Sequence, residues 1–185
     1  NDEEKIRNTA KALIEKDVPE DPAERIRTVE ESVCVQANNR LFAVVFWFVV
    51  CGPFGPLGAW AYRVTDLIRR RAVFSAGRAE DGADVSLRAA AERLHGWLVW
   101  IPARLTAVGY AMAGSFDGAL SAWRRIDDPR ETPGYEHSEH LLARVGSGAL
   151  ALQSLDGESD SARGVRGATA ANSLVYRLLL IWAVV

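Results

Sequence analysis

Leu41-Phe-Ala-Val-Val-Phe-Trp-Phe-Val-Val-Cys-Gly-Pro-Phe-Gly-Pro-Leu-Gly-Ala-Trp-Ala-Tyr62 decides the fold. It is 22 residues without a charge, bounded by Arg40 and Arg63. A helix of that length reaches about 33 Å, enough for a hydrocarbon core of about 30 Å. Trp60 and Tyr62 stand at one end, where amphipathic rings favour the headgroup level. The run predicts a membrane segment over residues 41–62. Gly52-Pro53-Phe54-Gly55-Pro56 interrupts it, because two prolines remove two backbone donors and clash with the preceding turn. Each half, at about 11 residues, is too short to cross alone, so the break is either a kink in one span or a re-entrant element.

The flanks extend the helical pattern. Residues 1–40 read as an amphipathic helical segment, with Ile6, Ala10, Leu13 and Ile14 at helical spacing. Asp21, Pro22 and Glu24 form a second helix start, followed by a stripe of Ile26, Val29, Val33 and Ala37. Residues 63–96 read as a basic loop and a short helix. Arg63, Arg69, Arg70, Arg71 and Arg78 suggest a cytoplasmic flank, Asp81 to Ser86 a turn, and Leu87 to His95 the helix.

Residues 97–123 read as a membrane or deeply inserted helix. Gly114 and Gly118 supply the small-residue spacing that lets helices approach in lipid, and they suggest an oligomer contact. Arg104 within it requires a partner or an interfacial position. Residues 124–173 read as a polar loop region, and residues 174–185 as the start of a truncated membrane helix in which Arg177 snorkels to the interface. The expected class is all-α: an integral membrane helical protein, multi-pass, with amphipathic and loop segments between spans. Because the chain starts at Asn1 and stops within an apolar run, it is expected to be part of a longer protein.

Composition narrows the function. Lys+Arg total 22 and Asp+Glu 24, a net charge of -2, which supplies no basic field for nucleic acid. Cys34 and Cys51 are too few for a disulfide framework and read as small hydrophobes. No phosphate-cradling glycine loop and no nucleophile elbow are present in the sequence, and no cofactor is expected. His137 and His140 lie three apart, so a helix would put them on one face as a weak zinc candidate, with Glu136 and Glu139 as oxygen donors. The plain alternative is a polar helix start leading into Leu141 and Leu142. Glu30, Glu31, Asn38, Asn39 and Arg40 crowd the mouth of the first apolar run, as a ligand site or as an interfacial cap.

Several of these residues resemble one membrane family. They are Glu31-Ser32-Val33, Leu41 to Trp47, Gly52-Pro53, Gly58 and Ala61-Tyr62-Arg63, then Trp100-Ile-Pro-Ala-Arg-Leu-Thr-Ala107, and more weakly Gly146 to Leu152. The family joins adenosylcobinamide-phosphate synthases of cobalamin biosynthesis with AmpE-type inner-membrane signalling modulators linked to β-lactamase induction. The synthase pattern runs Glu-Ser-x-x-Glu-Asn-Thr-x-Asp. Here Val35, Gln36 and Asn39 replace the second Glu, the Asn and the Asp, which removes two hard oxygen ligands for a Mg-nucleotide. Asp66, after Arg63, is not at the family spacing.

The resemblance therefore implies a non-catalytic AmpE-type regulator in the bacterial inner membrane. Its expected partners are the bilayer and a cell-wall-derived ligand or another membrane protein. Glu31, Asn38, Asn39, Arg40, Arg63 and Arg104 are the ligand-binding candidates. The competing readings are an ATP-dependent, amide-forming synthase and a structural subunit of a membrane complex.

Overall fold

A computed structural model describes Pro19 and residues 21–75, 82–126, 134–152, 155 and 157–184. Every regular element among them is helical: α1 (Pro22–Ala37), a π-helical turn (Asn38–Phe42), α2 (Ala43–Val50), a 3-10 turn (Gly52–Phe54), α3 (Gly55–Ser75), α4 (Gly82–Ala113), α5 (Phe116–Arg124), α6 (Gly134–Leu150) and α7 (Asp160–Val184). The helix expected over residues 1–16 lies outside the described residues, as does Arg78. At the start of α1 the Asp21 carboxylate accepts from the Glu24 amide at 3.0 Å, the N-cap its sequence pattern requires.

The described residues fall into two units. One contains those up to Gln36, of Ala107–Ile126 and from Leu142 onward; the other contains those of Ala37–Thr106 and up to Leu141. In the second unit the 41–62 run is divided between two helices. The π-turn and α2 continue from α1, so Pro22–Val50 is helical over 29 residues. The Gly52–Phe54 turn, with Gly52 at φ +53°, then reverses the chain and α3 doubles back along α2. A Cβ on Gly55 would lie 2.3 Å from the Phe48 carbonyl oxygen, and one on Gly58 would lie 2.7 Å from that of Trp47. Glycine at these positions allows the two backbones to meet. The Gly/Pro break is thus a hairpin turn and not a kink within one span.

Residues 63–96 are helical on both sides of the undescribed segment, in place of the expected basic loop; Gly82 to Ser86, expected as a turn, belongs to α4. Pro102 sits inside α4. Its missing N–H would have bonded the carbonyl of Leu98, four residues earlier. The indole N–H of Trp47 donates to that carbonyl at 3.0 Å, so the proline leaves no orphan acceptor.

In the first unit α4 ends at Ala113, and Ser115 is extended (φ −79°, ψ 111°) before α5. The expected single helix over 97–123 is therefore two. Gly114 lies between them and Gly118 in the first turn of α5, so they do not share one helical face. A Cβ on Gly118 would fall 2.2 Å from the Gly148 carbonyl oxygen, and one on Gly148 would fall 2.5 Å from that of Gly118. A Cβ on Gly114 would fall 2.5 Å from the Ala149 oxygen. The close approach expected of an oligomer contact is made within this unit.

Residues 124–173, expected as loop, contribute α6 and the first half of α7. Ser159 caps α7, its hydroxyl accepting from the Ala162 amide at 3.3 Å. The small residues that suggested a loop are packing devices here: Gly167 lies against the buried Glu30, which is paired with Arg163. α7 consequently runs 25 residues, and with Pro22–Val50 it is one of two described helices long and apolar enough to cross a membrane. Phe48, Val49, Phe54, Leu57, Trp60 and Trp97 are all exposed, and large apolar side chains turned outward in this number suit lipid better than water.

Candidate functional site

The second unit carries a chain of buried polar groups. The π-turn presents Asn38 and Asn39, both fully buried, and π-turns recur at functional sites. Thr106 of α4 donates to the Asn38 side-chain oxygen at 2.9 Å. Asn38 donates to Asn39 at 3.0 Å, and Asn39 donates to Glu139 of α6 at 3.3 Å. Glu139 also accepts from Arg69 of α3 at 3.4 Å, and the Arg69 guanidinium lies 5.1 Å from the centre of the Tyr135 ring.

Arg69 continues the chain to Asp66, which is fully buried. Asp66 accepts from Arg70 Nε at 3.1 and 3.0 Å, from Arg63 at 3.3 Å and from Arg69 at 3.5 Å. One helix supplies all four groups because positions three and four apart share a face. Three guanidiniums around one buried carboxylate offset part of the cost of taking it out of water.

His95 of α4 completes the centre. Its Nε2 is 3.9 Å from Asp66 Oδ1 and its ring lies 5.6 Å from that of Tyr62, tilted by 35°. Burial lowers its pKa to about 4; the nearby Arg69 and Arg70 charges act in the same direction, against Asp66. His95 is therefore neutral at pH 7. Among the described residues neither His95 nitrogen nor the Tyr62 hydroxyl has a hydrogen-bond partner. Burial and the neighbouring Glu136 carboxylate push the Tyr135 phenol up to about 12.

The sequence candidates divide. Asn38, Asn39 and Arg63 belong to this network. Arg40 is exposed, one residue beyond it. Glu31 belongs to the other unit and pairs with Arg27 at 2.9 Å. Arg104 stacks over Trp100 at 3.9 Å and donates to the carbonyl of that residue at 3.1 Å. His137 is half-buried and His140 exposed on α6; burial and the Arg104 and His140 charges lower the His137 pKa. Among the described residues no three His, Cys, Asp or Glu side chains gather to hold a metal ion, and Glu139 serves the network instead.

Sequence reasoning missed Asp66, Arg69, Arg70, His95 and Glu139 as one site. Arg69 is buried and Arg70 mostly so, because both turn inward to Asp66. The Arg63-Asp66-Arg69-Arg70 spacing was the available signal. For His95 and Glu139 no local signal exists, because tertiary packing alone brings them to Asp66.

These features define an all-helical integral membrane protein whose charges are paired inside a helical unit. The chain belongs to the AmpE family: the family model described as regulatory signalling modulator protein AmpE matches residues 2–182. It is also similar to the cobalamin biosynthesis protein CobD of Stutzerimonas stutzeri (strain A1501), with 30% identity over 162 residues, 85% of this chain and 50% of that protein. The chain spans about half the length of this curated relative. No solved structure matches it.

Proposed function

We propose that the chain works in a multi-pass protein of the bacterial inner membrane that regulates by binding and makes no bonds itself. Its input is a cell-wall-derived ligand or a partner membrane protein, and its output is β-lactamase induction. The observation that carries the reading is the state of the two carboxylates at the polar centre. Asp66 is held by three arginines and Glu139 by Arg69 and Asn39. Carboxylates committed in this way offer few hard oxygens to a Mg-nucleotide, and Val35 and Asn39 add none. A pre-paired network instead suits a regulator, because a partner that binds one arrangement of such pairs better than another can bias it.

Likeness to the CobD relative favours a second reading, an adenosylcobinamide-phosphate synthase. Complementation separates the two. The gene encoding the whole protein is expressed in a strain lacking the cobalamin synthase, and its deletion strain is challenged with a β-lactam. The regulator reading expects no rescue of cobalamin-dependent growth and an altered β-lactamase response. Rescue would establish the synthase reading, and a deletion with no envelope or β-lactam phenotype would leave a structural subunit of a membrane complex.

A further inference from the structure

The first unit contains a groove of about 500 Å³ that the Asp66 centre does not use. Arg27 comes from α1; Asp117, Ser121 and Arg125 come from one face of α5 and its C-cap; Arg144 and Ser147 come from α6. Its floor is the Gly118–Gly148 contact, where each backbone blocks a Cβ on the other. The volume lies within the range of small-molecule sites, about 300–1,000 Å³.

The wall chemistry selects the ligand. Arg27 is engaged by Glu31 at 2.9 Å. Among the described residues Arg125 and Arg144 have no ion-pair partner, and the Ser121 and Ser147 hydroxyls have no hydrogen-bond partner. Asp117 is the one carboxylate of the wall. Two guanidinium forks and two hydroxyls offer more donors than the two oxygens of a carboxylate accept. They match a phosphoryl group, which presents three or four oxygens and up to two negative charges.

We propose that this groove binds a phosphoryl anion, held by Arg125 and Arg144 with Ser121 and Ser147 as neutral donors. The proposal stands apart from the reading of the Asp66 centre. Two sources present the same chemistry: a soluble phosphate compound and the phosphomonoester headgroup of an anionic lipid, phosphatidic acid.

The test uses the full chain in nanodiscs. In phosphatidylcholine discs, pyrophosphate is titrated by calorimetry. In discs containing phosphatidic acid, the lipid retained by the protein is counted by native mass spectrometry. Saturable pyrophosphate binding that weakens by about tenfold or more in Arg125→Gln and Arg144→Gln supports a soluble ligand. Phosphatidic acid retention lost in the same variants, without pyrophosphate binding, supports the headgroup. Ser121→Leu occupies the groove at an exposed position and is expected to reduce whichever binding is found. Arg124→Gln removes the same charge beside the groove and should change neither arm. Binding absent from both arms, unchanged in Arg125→Gln and Arg144→Gln, or reduced equally by Arg124→Gln overturns the proposal. Thermal melting of each variant confirms that a loss of binding is not a loss of fold.

Discussion

The Trp47 indole N–H donates to the Leu98 carbonyl at 3.0 Å, and Leu98 is the residue whose helical hydrogen bond Pro102 abolishes. A mid-helix proline costs about 3 kcal/mol, part of it through the orphaned carbonyl. Trp47 supplies the missing donor from a neighbouring helix. The Trp47 position and the Trp100-Ile-Pro-Ala-Arg signature are therefore one device, joined through Leu98, 51 residues from Trp47.

A double-mutant cycle tests this coupling. Trp47→Phe keeps an aromatic ring and removes the donor, leaving the Leu98 oxygen unsatisfied, at a cost of about 1–3 kcal/mol. In a Pro102→Ala background the new backbone N–H bonds Leu98 directly, and the same substitution costs less by about 1 kcal/mol or more. Denaturant unfolding in detergent measures all four corners. Equal costs in both backgrounds would remove the coupling.

Asp66 is the charge balance of its unit. Asp66→Asn leaves Arg63, Arg69 and Arg70 without their shared anion, and breaking a buried pair in this way costs about 3–5 kcal/mol. Arg40→Ala, at an exposed position, changes stability by about 0.5 kcal/mol or less. Thermal unfolding in one detergent compares the two. Similar losses would place the important charge at Arg40 and not at Asp66.

His95 gives the fold an acid-sensitive term. Its folded pKa of about 4 lies below the ordinary 6.5, so unfolding takes up a proton between these values. The contribution is fully present above about pH 6.5, falls as pH drops toward 4, and is constant below that. Its size is on the order of 3 kcal/mol. His95→Phe keeps a ring beside Tyr62 and cannot titrate. The difference in stability between wild type and variant should change with pH inside this window and be flat outside it. A difference that does not vary with pH would show that His95 is not held neutral.

Much of the helical content was legible in the uncharged run and the Asp21-Pro22 start. The hairpin was not, because Gly55 and Gly58 signal a close approach without saying which backbone approaches; Phe48 and Trp47 answer that only in three dimensions. The first half of α7 reads as loop because Gly164, Gly167 and Ala168 carry little apolar signal, yet the bare Gly167 is what admits Glu30 and Arg163. Arg69 and Arg70 read as a flank because charge near an apolar run usually faces water. Asp66 reverses that expectation, since a carboxylate three and four residues away provides an internal partner.

Asn39 stands where the synthase pattern carries Asp, and its amide donates to Glu139 at 3.3 Å. An amide can donate to a carboxylate, whereas an ionised Asp can only accept. Asn39→Asp would therefore replace a hydrogen bond with two like charges at a fully buried position. Arg69, already shared between Glu139 and Asp66, cannot neutralise both. The variant is expected to lose about 2–4 kcal/mol at pH 7 through repulsion and the desolvation of an unpaired charge. One of the two carboxyls then takes a raised pKa and picks up a proton as the pH falls, as adjacent buried carboxyls do. Part of the loss should return as pH falls toward 5, where the wild type gains nothing from this pair. Two facing carboxylates also form the beginning of a hard-cation site, so millimolar Mg²⁺ should raise the melting temperature of the variant and leave the wild type unchanged. Melting curves at pH 7 and pH 5, with and without Mg²⁺, read all three effects. A variant as stable as wild type at pH 7, with no response to Mg²⁺, would mean that Asn39 is not paired with Glu139.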